Sequence, residues 1–335
     1  MRSWIQAGVV AAWGVGAGTA HALSPRIDHV DATINGPSAF DSFRRPASLA
    51  VSQDGRLFLV GDTGNHRIVV FDQSGRCRGA FPLSPSDPAS AGVEPQSLAL
   101  DSRGRIYVVD GLDHLLTVLS ARGAFVASQT VPTELAPQGG EWVRSVAVAP
   151  SGRIYVLHTG PAAGLFSELP GGRASTAHDI RSGLKSLVAP VAVAVSADET
   201  QVAVLDPEAR TQVQVRALDG TLLASFGRHG EGEGTMSLAV HVTWGPSDTL
   251  WITDTLRHFI HVFDAHGAYL GRVGGFGSSP GQLSYPVACG FLEDGRLVVL
   301  ERAGRCQILE VTLSDSTNGT LSGASVRRSA PTVLS

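Results

Sequence analysis

Six segments of this chain can be laid one above another, and their spacing restricts the fold more than any other feature. RPASLAVSQDGRLFLV (45–60), EPQSLALDSRGRIYVV (94–109) and WVRSVAVAPSGRIYVL (142–157) each carry an apolar run, a tight turn and a second alternating run. APVAVAVSADETQVAVL, LAVHVTWGPSDTLWIT and YPVACGFLEDGRLVVL repeat the pattern from Ala189, Leu238 and Tyr285. Counted from the second residue of each, the copies begin at 46, 95, 143, 190, 239 and 286, which spaces them by 49, 48, 47, 49 and 47 residues. Two-residue alternation bounded by turn residues predicts paired antiparallel strands.

A third strand follows each pair through the turns GDTGNHRI, DGLDHLL, HTGPAAGLF, DPEARTQV, DTLRHFI and ERAGRCQI. A fourth is clearest in FDQSGRCRGAF, LDGTLLASF and FDAHGAYLGRV. Four short strands per repeat, six times over, predict an all-β chain: a six-bladed β-propeller of four-stranded antiparallel blades. The sixth copy ends near QILEVTL with three strands. A strand at about Ile27 to Ile34 is therefore expected to complete it, which would remove two open sheet edges. Phe43 and Leu283 each stand three residues before a blade's Pro, so the segments leading into blades one and six should match.

The segment PASLAVSQDGRLFLVGDTGNHRIVVFDQSG, within residues 46–81, resembles the NHL repeat. Blades two, five and six resemble it well, whereas three and four have drifted. The resemblance spans about residues 30 to 313 and implies the propeller, but not an activity, because function on a shared fold resides in the site. Two enzyme groups are similar in blade pattern. Peptidyl-amidoglycolate lyases imply a zinc held by three His at the channel mouth, where this chain offers His241. Gluconolactonase and paraoxonase relatives imply an axial calcium held by Glu, Asn and Asp. The three Asn here, Asn35, Asn65 and Asn318, all lie off the expected inner strands.

In a propeller the innermost strands surround a channel. Two residues into each blade stand Ser48, Ser97, Ser145, Ala192, His241 and Ala288, five small residues and one imidazole. His241 is the residue expected to face the channel. Beside each blade's origin lie Arg45, Glu94, Gln96, Trp142, Arg144 and Tyr285, a polar and aromatic rim able to hydrogen-bond and stack on a small ligand. The turns between second and third strands contribute Asp62, Asp110, His158, Asp206, Asp254 and Glu301. Asp in such turns accepts backbone N–H bonds, which leaves His158 and Glu301 as the candidates for function. His66, His114 and His258 recur four residues after the turn Asp, too far from one another for shared metal ligation. The loop GRHGEGEGTMS (227–237) leads towards His241 and reads as a solvated connection or a lid.

These residues support two readings. The first is an exported binding propeller that holds a small ligand, peptide, glycan or envelope protein at the channel mouth, with no cofactor and no metal. The alternative is a hydrolase or lyase at the same mouth, with His241 as acid–base or ligand beside Arg144 and Glu94.

The rest of the chain bounds where this happens. Net charge is −4, with 17% charged residues, so no basic face for nucleic acid is expected. Residues 1–22 read as a signal peptide: Arg2, an apolar stretch from Ile5 to Ala17, and Ala20-His21-Ala22 as cleavage signal. That stretch is too short for a membrane span, so a secreted or periplasmic location is expected. Cys77, Cys289 and Cys306 form neither a disulfide framework nor a C-x-x-C pair, and are expected as free thiols. The propeller is placed at 23–313, and the Ser/Thr/Gly-rich segment 314–335 reads as a disordered tail.

Overall fold

The computed structural model describes residues 23–39, 41–83, 92–112, 116–129, 142–159, 164–168, 178–179 and 187–315. The expected signal peptide, most of the expected tail, and His114 lie outside them. Among the described residues the secondary structure is strand, with short 3-10 turns at Thr63–Asn65 and Pro246–Asp248. The chain is an all-β propeller whose blades are small antiparallel four-stranded sheets.

Blade one contains Ser48–Val51, Leu57–Asp62, Arg67–Asp72 and Cys77–Pro82, in sequence order from the axis outward. The same order holds for the blades whose innermost strands are Pro95–Leu100, Trp142–Val148, Ala192–Val195 and Ala239–Trp244. In the drifted third copy the outermost strand described is two residues long, His178–Asp179. The final sheet runs Pro286–Phe291, Leu297–Glu301, Arg305–Asp315 and then Leu23–Ile34. Its outer strand thus comes from the start of the described chain, with Ile27 opposite Val311 and Ile34 opposite Cys306. The innermost strands touch in a cycle, each against the next, and Pro286–Phe291 returns to Ser48–Val51.

Turn chemistry explains why drifted repeats keep the shape. The first hairpin of blade one turns at Gly55, whose φ of 68° is open to glycine without penalty. Blade four has no glycine there, and Glu199 adopts φ 56° instead. Blade five uses a 3-10 turn with Ser247 at φ 56° and Asp248 at φ 54°.

The apolar core is divided among the blade interfaces. Phe43, Leu49, Phe58, Phe71 and Ile34 meet Leu300 and Ile308 between blades one and six. Phe58 stacks on Phe71 at 5.2 Å, and Phe43 meets Phe71 edge-on at 5.8 Å. Leu283 is fully buried between blades five and six, so both residues singled out before their Pro are core. Burying a side chain of this size stabilises by roughly 1.5–3 kcal/mol, and every interface contributes several.

Candidate functional site

The site follows from one irregularity in the innermost strands. In blades two, three, five and six a β-bulge falls one residue after the blade origin: Pro95 faces Asp110 while Ser97 faces Val109, which leaves Gln96 extra. Arg144, Val240 and Val287 are the extra residues in the other three. In blade one the Ala47 N–H donates to the carbonyl of Gly61, the residue opposite Ser48, and in blade four the Val191 N–H donates to that of Leu205, the residue opposite Ala192. A bulge re-aims side chains locally, and all six residues line the axial channel: Ala47, Gln96, Arg144, Val191, Val240 and Val287.

The residue after each bulge has another task. Ser48 Oγ donates to the Pro95 carbonyl of blade two at 2.6 Å. Ser97 Oγ lies 3.4 Å from Ser145 Oγ and accepts the Val146 N–H at 3.2 Å. Ser145 Oγ accepts the Val193 N–H of blade four at 3.4 Å. These hydroxyls stitch the innermost strands of blades one to four together. Blade five places His241 at this position, where its ring lines the channel and its Nδ1 is buried without a hydrogen-bond partner among the described residues. Desolvation pushes the His241 pKa down to about 4, so the imidazole is neutral at pH 7.

The cavity runs along the axis with a volume of about 2450 Å³, larger than a fitted small-molecule pocket of roughly 300–1,000 Å³. Its two ends differ in charge. Where the innermost strands begin, Arg45, Arg144 and Arg302 face, among the described residues, a single acid, Glu94. Arg45 lies 3.9 Å from Glu94. Arg144 has no ion pair or side-chain hydrogen bond among the described residues. At the other end Asp54, Glu293 and Asp294 accompany Arg296, which is paired to Asp294 at 2.7 Å and Asp31 at 2.9 Å. A mild overall charge hid this polarity.

Among the candidate residues, His241, Arg45, Glu94 and Arg144 are brought to the channel. Glu301 is fully buried in its blade, accepting the Ser284 N–H at 2.7 Å, Arg305 Nε at 2.7 Å and Gln307 Nε2 at 2.8 Å. It does the structural work of Asp62, Asp110, Asp206 and Asp254, which pin the segment leading into their own blades by accepting N–H bonds from Arg44, Glu94, Val188 and Ser237. His158 is buried in the second strand of blade three, away from the channel. Tyr285 is 44% exposed outside the channel and packs on His258 at 4.5 Å. The Trp142 side chain lies outside the described residues.

His66 Nδ1 lies 3.2 Å from the Val93 carbonyl, and His258 Nδ1 accepts the Tyr285 N–H at 3.1 Å, so each clamps the segment leading into the following blade. The 227–237 loop is held rather than loose. Arg228–His229 pairs with Thr235–Met236, and Arg257 donates to the carbonyls of Gly232 and Thr235. No three His, Cys, Asp or Glu converge as metal ligands among the described residues. The three-His zinc set implied by the lyase resemblance therefore has no counterpart among the described residues. Sequence reasoning missed the apolar half of the channel, because Val240 and Val287 look like ordinary strand residues until the bulge turns them, and Val191 stands at the matching position of blade four.

Comparison with known proteins agrees with the architecture. Among curated protein sequences none matches the chain. A gluconolactonase from Xanthomonas campestris superposes with a TM-score of 0.59 at 16% identity, over 86% of this chain and 95% of that one. A streptogramin B lyase gives 0.58 at 13% identity, over 87% and 98%. Identities this low establish a shared fold. At the level of sequence, residues 43–71, which hold most of blade one, match the NHL repeat family.

Proposed function

We propose that this protein is an exported, six-bladed propeller that acts on a small molecule at the basic mouth of its channel, as a hydrolase or lyase. The observation that carries this reading is His241: a neutral imidazole whose ring lines the channel and whose buried Nδ1 has no hydrogen-bond partner among the described residues. A buried polar atom without a partner costs free energy, and a ligand that bonds to it recovers that cost. The two structural neighbours, a gluconolactonase and a streptogramin B lyase, are enzymes on this fold, which favours turnover over retention alone.

The chemistry assigned is modest. A base with a pKa of about 4 is weak at neutral pH, but an anionic ligand beside it favours the imidazolium and raises that value towards the range suited to proton transfer. Arg144, from blade three, supplies a fixed positive charge in the same channel, fit to stabilise an oxyanion. Retention without turnover is the second reading. It is favoured by the lack of a converging carboxylate or metal-ligand set among the described residues. The test is turnover of a panel of lactones, esters and amidoglycolates by residues 23–335, with His241→Ala and Arg144→Ala as controls. Turnover that falls at least a hundredfold in His241→Ala supports the enzyme. Turnover unchanged by either substitution would remove the mouth from the mechanism.

A further inference from the structure

We propose that the ligand of the basic mouth is a small organic monoanion: a carboxylate head bound by Arg144, a neighbouring hydroxyl or N–H that donates to Gln96 Oε1 where the compound carries one, and an apolar body laid against Val191, Val240 and Val287. The inference rests on the channel mouth being the small-molecule site, and it names the class of compound that fits.

Four observations place the head group. Arg144 lines the channel without an acidic partner among the described residues. The Oε1 of Gln96 is buried and has no hydrogen-bond partner among the described residues. The two residues stand at equivalent bulges on neighbouring innermost strands, and the serines that follow them, Ser97 and Ser145, approach to 3.4 Å. One head group can therefore meet both side chains. A guanidinium presents N–H donors in a fork that matches a carboxylate, and such charge-assisted bonds are about twice as strong as neutral ones. An amide with an open carbonyl suits a compound that also carries a hydroxyl or N–H beside its carboxylate.

The rest of the ring fixes the body. Going round from Arg144, the residues one position after each blade origin are Val191, Val240, Val287 and Ala47, so four consecutive positions are apolar. An inorganic anion would leave this wall wet and unused. An apolar group recovers roughly 25 cal/mol for each Å² of surface it removes from water. The charge difference between the two ends points the same way: three arginines and one glutamate at this end attract an anion, whereas the acidic far end repels it.

The experiment is a binding titration by calorimetry on residues 23–335. Its probes are 4-phenylbutyrate, the corresponding neutral amide and inorganic phosphate, each also run on Arg144→Ala and Val240→Asp. The carboxylate should bind at least tenfold more tightly than the amide and than phosphate, and Arg144→Ala should abolish the preference over the amide. Val240→Asp should weaken the carboxylate at least tenfold. Thermal melts confirm that both variants fold, and Arg144→Gln substitutes should Arg144→Ala fail. Equal affinity for carboxylate and amide would overturn the proposal, as would phosphate binding as tightly as the carboxylate. Carboxylate binding without turnover of any substrate would sink the enzymatic reading and leave this one standing, and turnover confined to uncharged compounds would do the reverse.

Discussion

The carboxylate of Asp254 accepts the N–H of Ser237 at 2.6 Å and that of Leu238 at 3.0 Å, while His261 Nε2 lies 3.6 Å away. This one side chain holds in place the segment that leads into the innermost strand bearing His241. Burial by itself would raise the Asp254 pKa. The His261 ring and the N–H groups of Ser237, Leu238 and Arg257 outweigh it and hold the carboxyl below its usual value. Hydrogen bonds to a charged group contribute about 1.5–3 kcal/mol each, so Asp254→Ala should lower unfolding stability by about 3 kcal/mol in a urea titration at pH 7. Because the folded pKa is depressed, the contribution is present above the ordinary value of 3.8 and is lost as pH falls below it. A difference between wild type and variant that stayed constant down to pH 2 would contradict this.

His241 gives a prediction of opposite chemical type but the same pH sense. Its folded pKa of about 4 lies below the ordinary 6.5, because burial disfavours the imidazolium. Between those values the unfolded chain binds a proton that the folded chain does not, so stability falls as pH drops from 6.5 towards 4. The span of two and a half units corresponds to about 3 kcal/mol at 1.36 kcal/mol per unit. His241→Gln removes the titrating group, so its melting temperature should fall less than that of wild type between pH 7 and pH 4.5. Parallel curves for the two proteins would show that His241 does not titrate as a buried group.

Much of this architecture was legible in the sequence, because strands, hairpins and repeat spacing are local properties. Gly55-Arg56 and its equivalents marked the turns, and Ile27 to Ile34 was recognisable as the missing strand. The site was legible only in part. His241 and Arg144 stood out as polar residues at strand origins, but the strand period of two cannot reveal a bulge, which shifts the facing of every residue before it. Glu301 stood out because it replaces Asp at a recurring position. The longer carboxylate reaches the same kind of backbone donor, Ser284, and also Arg305, whose guanidinium comes from the next strand.

The three thiols separate by environment. Burial raises Cys289 to about 12 and raises Cys306 as well, Glu301 adding its negative charge in the latter case. Cys77 is only partly buried. Since the thiolate is the reactive form, iodoacetamide at pH 8 should label Cys77 and spare the other two in the folded protein, with all three labelled in 6 M guanidinium. Labelling of Cys289 at a rate comparable to Cys77 would mean that blade five and blade six separate far more readily than their packing implies.

The strand Leu23–Ile34 carries the final prediction. It supplies the outer strand of the last sheet, opposite Arg305–Asp315, and its Ile34 side chain joins Phe43, Leu300, Cys306 and Ile308 in the interface between blades six and one. Removing residues 23–34 leaves the ladder of Arg305–Asp315 unpaired and uncovers that apolar cluster at once. An unpaired edge beside exposed apolar surface templates aggregation. The lost burial and pairing rival the total stability of a typical domain, about 5–15 kcal/mol. A chain beginning at Asn35 should therefore be insoluble or melt far below the chain beginning at Leu23. A synthetic peptide of residues 23–34, added during refolding, should restore part of the loss by pairing with the open edge as an added strand does. Equal melting temperatures for the two chains, with no effect of the peptide, would show that the ring is held closed by its innermost strands alone.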